Sequence, residues 1–169
     1  CAAAGGIMSS PSVIDGRAFL GDTDGRVYAV DADAGDRVWT FDGNRRIDSR
    51  VGLTAVVTGS PVVCDGTVYV GSMVPKDDVS GTLFAIDADD GQFEWTAGPF
   101  AHAIGSSPAV VNGVVYFGAH TFDSTPNTAP GLFGVDEDGR ERWRYVVYGA
   151  SHTGFGSSPA IAGGSLYVG

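Results

Sequence analysis

The side chains with most chemistry to offer are three histidines, His102, His120 and His152, and a basic run made of Arg45, Arg46 and Arg50. An imidazole can move a proton near neutral pH or ligate a metal. A guanidinium can grip a carboxylate or phosphate with two parallel hydrogen bonds. His102 and His152 stand at similar places ahead of Pro108 and Pro159, but a metal needs a third and a fourth ligand that the spacing does not offer, so no metal is expected. The acidic runs Asp22-Thr23-Asp24-Gly25, Asp31-Ala32-Asp33, Asp87-Ala88-Asp89-Asp90 and Asp136-Glu137-Asp138 are superficially like calcium loops. All lack the full loop with its terminal Glu, and turn chemistry explains them without an ion. No Ser-His-Asp order, phosphate loop or paired-carboxylate motif stands out, so no catalytic residue is assigned. Cys64 closes the apolar run Pro61-Val62-Val63-Cys64 and reads as a buried strand residue rather than a reactive thiol.

These residues hang on an acidic, glycine-rich chain. Among 169 residues there are 20 acids, 17 of them Asp, against 10 basic residues of which Lys76 is the one lysine. A net charge of −10 argues against nucleic acid or an anionic membrane as partner. The Asp-rich, Lys-poor balance leads us to expect a halophilic organism, where salt screens dense negative charge. No apolar run reaches the length of a membrane-spanning helix. The 26 glycines fit many tight turns between short elements.

The order comes from repetition. Ser9-Ser10-Pro11 returns as Gly59-Ser60-Pro61, Ser106-Ser107-Pro108 and Ser157-Ser158-Pro159. After each comes an apolar run, a pair, and a second apolar run; the pairs are Asp15-Gly16, Asp65-Gly66, Asn112-Gly113 and Gly163-Gly164. Such pairs suit type I′ hairpin turns, which need positive φ at both central residues. A second hairpin follows in three repeats. Ala29-Val30-Asp31 leads through Gly35 to Trp39, Ala85-Ile86-Asp87 through Gly91 to Trp95, and Gly134-Val135-Asp136 through Gly139 to Trp143. With strands lettered A to D, residues 9–58, 59–105 and 106–156 are complete A–B–C–D units, and 157–169 is a fourth A–B hairpin.

Four short antiparallel strands per repeat of about 40–50 residues predict the blades of an all-β propeller, here three full blades and a half blade. The Ala-(Val/Ile)-Asp…Gly…Trp pattern resembles the quinoprotein-like, or PQQ-repeat, propeller family. That resemblance implies that Trp39, Trp95 and Trp143 pack between neighbouring blades and that Gly35, Gly91 and Gly139 are the turn glycines. It also leads us to expect that residues 1–169 are one segment of a longer propeller of about six to eight blades. Two copies closing a ring is the other reading, since open blade faces invite self-association. Cys1, followed by Ala2-Ala3-Ala4-Gly5-Gly6, reads either as the lipidated first residue of a mature lipoprotein or as part of a preceding repeat's loop. The second is favoured, because Ile7-Met8-Ser9-Ser10-Pro11 already fits the repeat.

Antiparallel order puts the short A–B and C–D turns at one end of each blade and the longer B–C and D–A loops at the other. Function favours variable loops on a rigid scaffold. Arg45, Arg46, Arg50, His102, His120 and His152 all fall on that loop face and are the candidate binding residues. Quinoprotein dehydrogenases of the resembling family hold pyrroloquinoline quinone and Ca²⁺, many with an adjacent Cys-Cys pair; that pair does not occur in this sequence. The expectation is therefore an extracytoplasmic, secreted or cell-surface scaffold, without a cofactor, that binds a protein or carbohydrate partner. The alternative is a segment of a PQQ-dependent dehydrogenase.

Overall fold

A computed structural model describes residues 2–47, 55–74, 80–100, 104–120, 130–146 and 155–169. Fourteen strands and one 3₁₀ turn are formed among them. Blade 1 holds β1 (Ser12–Ile14), β2 (Arg17–Gly21), β3 (Arg26–Asp31) and β4 (Arg37–Asp42). Blade 2 holds β5 (Val62–Cys64), β6 (Thr67–Val74), β7 (Ser80–Asp87) and β8 (Phe93–Phe100). Blade 3 holds β9 (Ala109–Val111), β10 (Val114–Ala119), β11 (Gly131–Asp136) and β12 (Glu141–Val146), and the hairpin β13 (Ala160–Ala162) and β14 (Ser165–Tyr167) follows. Each blade is an antiparallel sheet in chain order, so the partial propeller expected from the repeats is the fold observed.

The turns form for the reason the pairs suggest. Asp15 and Gly16 take φ of 49° and 74°, Asp65 and Gly66 50° and 83°, Asn112 and Gly113 50° and 69°, Gly163 and Gly164 56° and 75°. Asp and Asn tolerate this left-handed region better than other non-glycine residues. The C–D turns are organised by the aspartate that ends strand C. Asp31 Oδ1 accepts from the N–H groups of Asp33 (3.0 Å) and Ala34 (2.7 Å), and Asp87 Oδ1 from Asp89 (2.7 Å) and Asp90 (3.0 Å). Asp136 serves a turn one residue shorter, accepting from Asp138 (3.1 Å) and Arg140 (2.9 Å). These bonds hold the Asp136 carboxyl below its ordinary range. The acidic runs at these three turns are thus hairpin chemistry.

The core lies between blades. Phe19, Val27, Trp39 and Phe41 of blade 1 close on Val68, Val70, Phe84 and Ile86 of blade 2. Tyr69, Leu83 and Ala97 of blade 2 close on Val115, Phe117, Phe133 and Val135 of blade 3. Trp39 donates its indole N–H to the Ala88 carbonyl (3.0 Å) and lies on Gly91, where an added Cβ would fall 2.7 Å from the ring. Trp95 lies on Gly139 in the same way. Trp143 makes no such dock with a turn glycine among the described residues and is 38% exposed, its ring against Tyr116.

Two further inter-blade devices run along the A strands. The second serine of each repeat passes a hydrogen bond to the next: Ser10 N–H to Ser60 Oγ (3.0 Å), Ser60 N–H to Ser107 Oγ (2.8 Å), Ser107 N–H to Ser158 Oγ (3.0 Å). The first serine locks its own blade, as Ser9 Oγ accepts from Gly21 N–H (2.9 Å) and donates to Gly21 O (3.2 Å), a pair repeated at Ser106–Gly118 and Ser157–Gly169. Blade 2 has Gly59 there because a Cβ would stand 2.6 Å from the Ser106 carbonyl. The second device is a side chain four residues before each repeat proline seated on the previous blade's strand-B glycine: Val57 on Gly21, Ile104 on Gly71, Phe155 on Gly118.

Candidate functional site

The loop face begins where strand D ends. Asp42 caps the 3₁₀ turn Gly43–Arg45, its carboxylate accepting from Asn44 N–H (3.2 Å). Asn44 then fastens this D–A loop to the B–C turn of its own blade. Its amide donates to the Asp24 carbonyl (2.7 Å) and its oxygen accepts from Ala55 N–H (2.7 Å). The two adjacent arginines consequently part. Arg45 stays 83% exposed, with Nε 3.3 Å from the Asp42 carboxylate. Arg46 folds back over the Phe93 ring, its guanidinium carbon 4.7 Å from the centroid, and Phe93 in turn stacks on Phe41. Both stay exposed, but Arg46 lies over the joint between blades 1 and 2, and Arg45 extends away from it.

His120 directly follows β10, half-buried, with its ring carbon Cε1 2.9 Å from where a Cβ on Gly105 would stand. Burial pushes its imidazole below the ordinary histidine range, which favours the neutral ring. Arg50, His102 and His152 lie outside the described residues. Arg45 and Arg46 follow blade 1 and His120 follows strand B of blade 3, so the described candidates stand on separate blades. No group of three or more His, Cys, Asp or Glu side chains converges among the described residues. Cys64, half-buried at the turn end of β5, sits beside Asp65; burial first, and then that carboxylate, raise its thiol pKa.

Sequence reasoning treated as an ordinary turn residue the carboxylate that gathers four donors, Asp22. Asp22, in the first B–C turn, is fully buried. Its Oδ1 accepts from Asp24 N–H (2.9 Å) and Arg26 N–H (2.9 Å), its Oδ2 from Gly5 N–H (3.1 Å) and the Tyr28 hydroxyl (2.7 Å). Burial alone would raise its pKa, but those four bonds outweigh it and hold the carboxyl below its ordinary value. The Tyr28 oxygen also accepts from Ala4 N–H (3.1 Å), tying residues 4–6 to the blade. Beside it an open cleft of about 430 Å³ is lined by Ala2, Ala3, Ala4, Arg26, Tyr28, Arg37 and Thr40. The signal available in the sequence was the break in the pattern: Phe84 and Phe133 occupy the register of Tyr28, and Ser72 and Ala119 that of Asp22.

A family model described as outer membrane protein assembly factor BamB matches residues 2–72 and 23–169. Quinohemoprotein alcohol dehydrogenase from Comamonas testosteroni is 31% identical over 121 residues, covering 67% of this chain and 16% of that protein. Outer membrane protein assembly factor BamB from Yersinia pestis is 28% identical over 155 residues, covering 89% of this chain and 35% of its own length. The crystal structure of the Comamonas testosteroni enzyme superposes with a TM-score of 0.65 at 27% identity, covering 84% of this chain and 21% of the enzyme. The chain thus spans about a third or less of these relatives.

Proposed function

The chain belongs to the PQQ-repeat β-propeller family described as outer membrane protein assembly factor BamB, and from that premise we propose that it is a non-catalytic scaffold working outside the cytoplasm. It binds a partner protein on the face formed by its B–C and D–A loops, with Arg45 and His120 as contacts; Arg50, His102 and His152, expected from the sequence to join them, lie outside the described residues. The observation that carries this reading is how four aspartates are used while Arg45 faces solvent. Asp22, in the interior, and Asp31, Asp87 and Asp136, at surface turns, accept from backbone amides and so hold the scaffold itself. Arg45, 83% exposed and paired with Asp42 at the surface, is a guanidinium on the loop face of a chain of net charge −10, suited to an acidic group on a partner.

A second reading rests on the 31% identity to a quinohemoprotein alcohol dehydrogenase, which makes a segment of a PQQ-dependent enzyme the alternative. Against it, Asp22, Asp31, Asp87 and Asp136 are engaged by backbone amides, and the described thiol, Cys64, stands at the turn end of β5, away from the loop face. A photo-cross-linking residue at Arg45 and another at Asp33, on the opposite end, separate the readings when combined with a titration of pyrroloquinoline quinone plus Ca²⁺. A discrete protein adduct from position 45 only, with no saturable quinone binding, is expected. Stoichiometric quinone binding would overturn the scaffold reading, and glycan binding without an adduct would replace the protein partner.

A further inference from the structure

The chain that leads from blade 1 to blade 2 is tied on both sides of residues 45–54 to a single knot. At its centre is the turn at Asp24 and Gly25. Asp22 Oδ1 holds that turn through the N–H groups of Asp24 (2.9 Å) and Arg26 (2.9 Å), and the Asp24 carbonyl accepts from the Asn44 amide (2.7 Å). Asn44 Oδ1 in turn accepts from Ala55 N–H (2.7 Å). One side chain thus joins residue 44, where the chain leaves blade 1, to residue 55, where it approaches blade 2. The packing leaves no slack. A Cβ on Gly25 would stand 2.7 Å from Asn44 Nδ2 and 2.8 Å from the Ala55 carbonyl, and one on Gly43 2.9 Å from the Gly25 carbonyl. The two residues after Ala55 are stitched as well. Val56 exchanges both backbone hydrogen bonds with Met73 of blade 2 (2.7 and 3.0 Å), and Val57 N–H donates to the Asp22 carbonyl of blade 1 (3.0 Å).

We propose that Asn44 is the positioning residue of the partner site: by clamping residue 44 to residue 55 it sets which of the two adjacent guanidiniums reaches the partner, and centres the contact on the seam of blades 1 and 2. The proposal rests on the reading of Arg45 as a contact. Arg45 and Arg46 are chemically equivalent, so only the direction of the backbone that carries them tells them apart. That direction is set by the 3₁₀ turn Gly43–Arg45, closed by Arg46 N–H on the Gly43 carbonyl (2.9 Å), and the Asn44 side chain pins the turn to its surroundings. Arg46 then falls over Phe93 and Arg45 extends away from the seam. With the two directions fixed before a partner arrives, less ordering is left to be done on binding. The clamp uses an uncharged side chain and backbone groups, so salt that screens the Arg45–Asp42 pair leaves it intact.

The test reads the arginines directly, by NMR of the 169-residue chain. The Arg46 side-chain protons should be displaced by the Phe93 ring current and those of Arg45 should not, with Phe93→Leu as the undisplaced reference. Asn44→Ala should remove most of the Arg46 displacement and bring the two arginines together, whereas multimolar salt should not. Asn44→Asp, which keeps an acceptor for Ala55 N–H and loses the donor to Asp24, should give an intermediate displacement. Trp143→Ala, on blade 3, should lower the thermal midpoint without moving either signal, which separates positioning from general loosening. Binding is probed with a fluorescein-labelled hexaglutamate peptide at low salt: Arg45→Glu should abolish it and Asn44→Ala should weaken it severalfold. An Arg46 displacement unchanged in Asn44→Ala would overturn the proposal, and so would peptide binding that depends on Arg45 and ignores Asn44. A wild-type chain without Arg45-dependent peptide binding would instead overturn the acidic-partner reading, while the Arg46 signals still decide whether Asn44 sets the direction of the arginines.

Discussion

At the A–B and C–D end of the blades the same contacts recur from repeat to repeat, whereas at the B–C and D–A end equal register positions hold different residues. Asp31, Asp87 and Asp136 each accept from the amide two residues on, and Gly91 and Gly139 each receive the indole of the preceding blade. Across the sheet, the position after the strand-B glycine is Asp22 in one blade, Ser72 in the next and Ala119 in the third. Asp22 gathers four donors, Ser72 Oγ donates to the Thr82 carbonyl (3.2 Å), and Ala119 joins the apolar core. The turn end is fixed by left-handed turn positions and indole docks, while the loop end shares its strand-B glycine seat and beyond it has only to satisfy its own backbone groups. Substitutions at the turn end should therefore act on stability, and those at exposed loop positions on binding.

The sharpest way to break this distinction is at the indole docks. Trp39→Ala removes a buried ring and the bond to Ala88, and should cost about 3–5 kcal/mol in denaturant unfolding. Gly91→Val should cost at least about 3 kcal/mol, because the position holds φ of 74° and its Cβ would enter the Trp39 ring. Trp143→Ala, at the undocked equivalent, should cost less than about half of the Trp39 loss. Equal losses at 39 and 143 would show that the docks do not carry the difference.

Asp22 is the exception that sharpens it, a loop-end residue with a structural role. Asp22→Ala leaves the Arg26 and Gly5 amides and the Tyr28 hydroxyl without their acceptor, an expected loss of roughly 2–4 kcal/mol. The pH dependence follows in sign. With the folded carboxyl below its ordinary value of 3.8, the stabilisation is present above the unfolded pKa and is lost as pH falls below about 4. Wild type and Asp22→Ala should therefore converge in stability under acid and diverge above pH 5 or so. A constant gap would assign the loss to packing alone.

How legible each end was follows from the same physics. The hairpins, blade boundaries and turn glycines could be read because φ above zero admits few residue types, and Asp-Gly or Asn-Gly announces it. The Trp39 and Trp95 docks followed from the family pattern. The separation of Arg45 from Arg46 could not be read, because it depends on Phe93, some 50 residues away in sequence yet adjacent across the blade joint. Asp22 was hidden because an Asp-Thr-Asp-Gly run looks the same whether its carboxylate faces water or a tyrosine. Val57, Ile104 and Phe155 share a place but not a residue type, so their common seat on a strand-B glycine emerges only in three dimensions.

The smallest expected effect is also the one that bears most on function. Arg45→Glu exchanges an 83% exposed side chain whose ion pair with Asp42 is a surface contact, and such pairs contribute about 0–1 kcal/mol. The new carboxylate meets Asp42 across a solvated gap, so the unfolding midpoint should move by no more than about 0.5 kcal/mol. Any cross-link or affinity gained through position 45 should nevertheless fall at least severalfold, because reversing a charge replaces attraction to an acidic partner with repulsion. Arg46→Glu is the matched control. It strips the Phe93 ring of its guanidinium and places a carboxylate over the same face, so its effect should appear in stability before it appears in binding. If the two neighbours instead behaved alike, the loop end would be scaffold throughout, and the partner surface would have to be sought elsewhere on the blades.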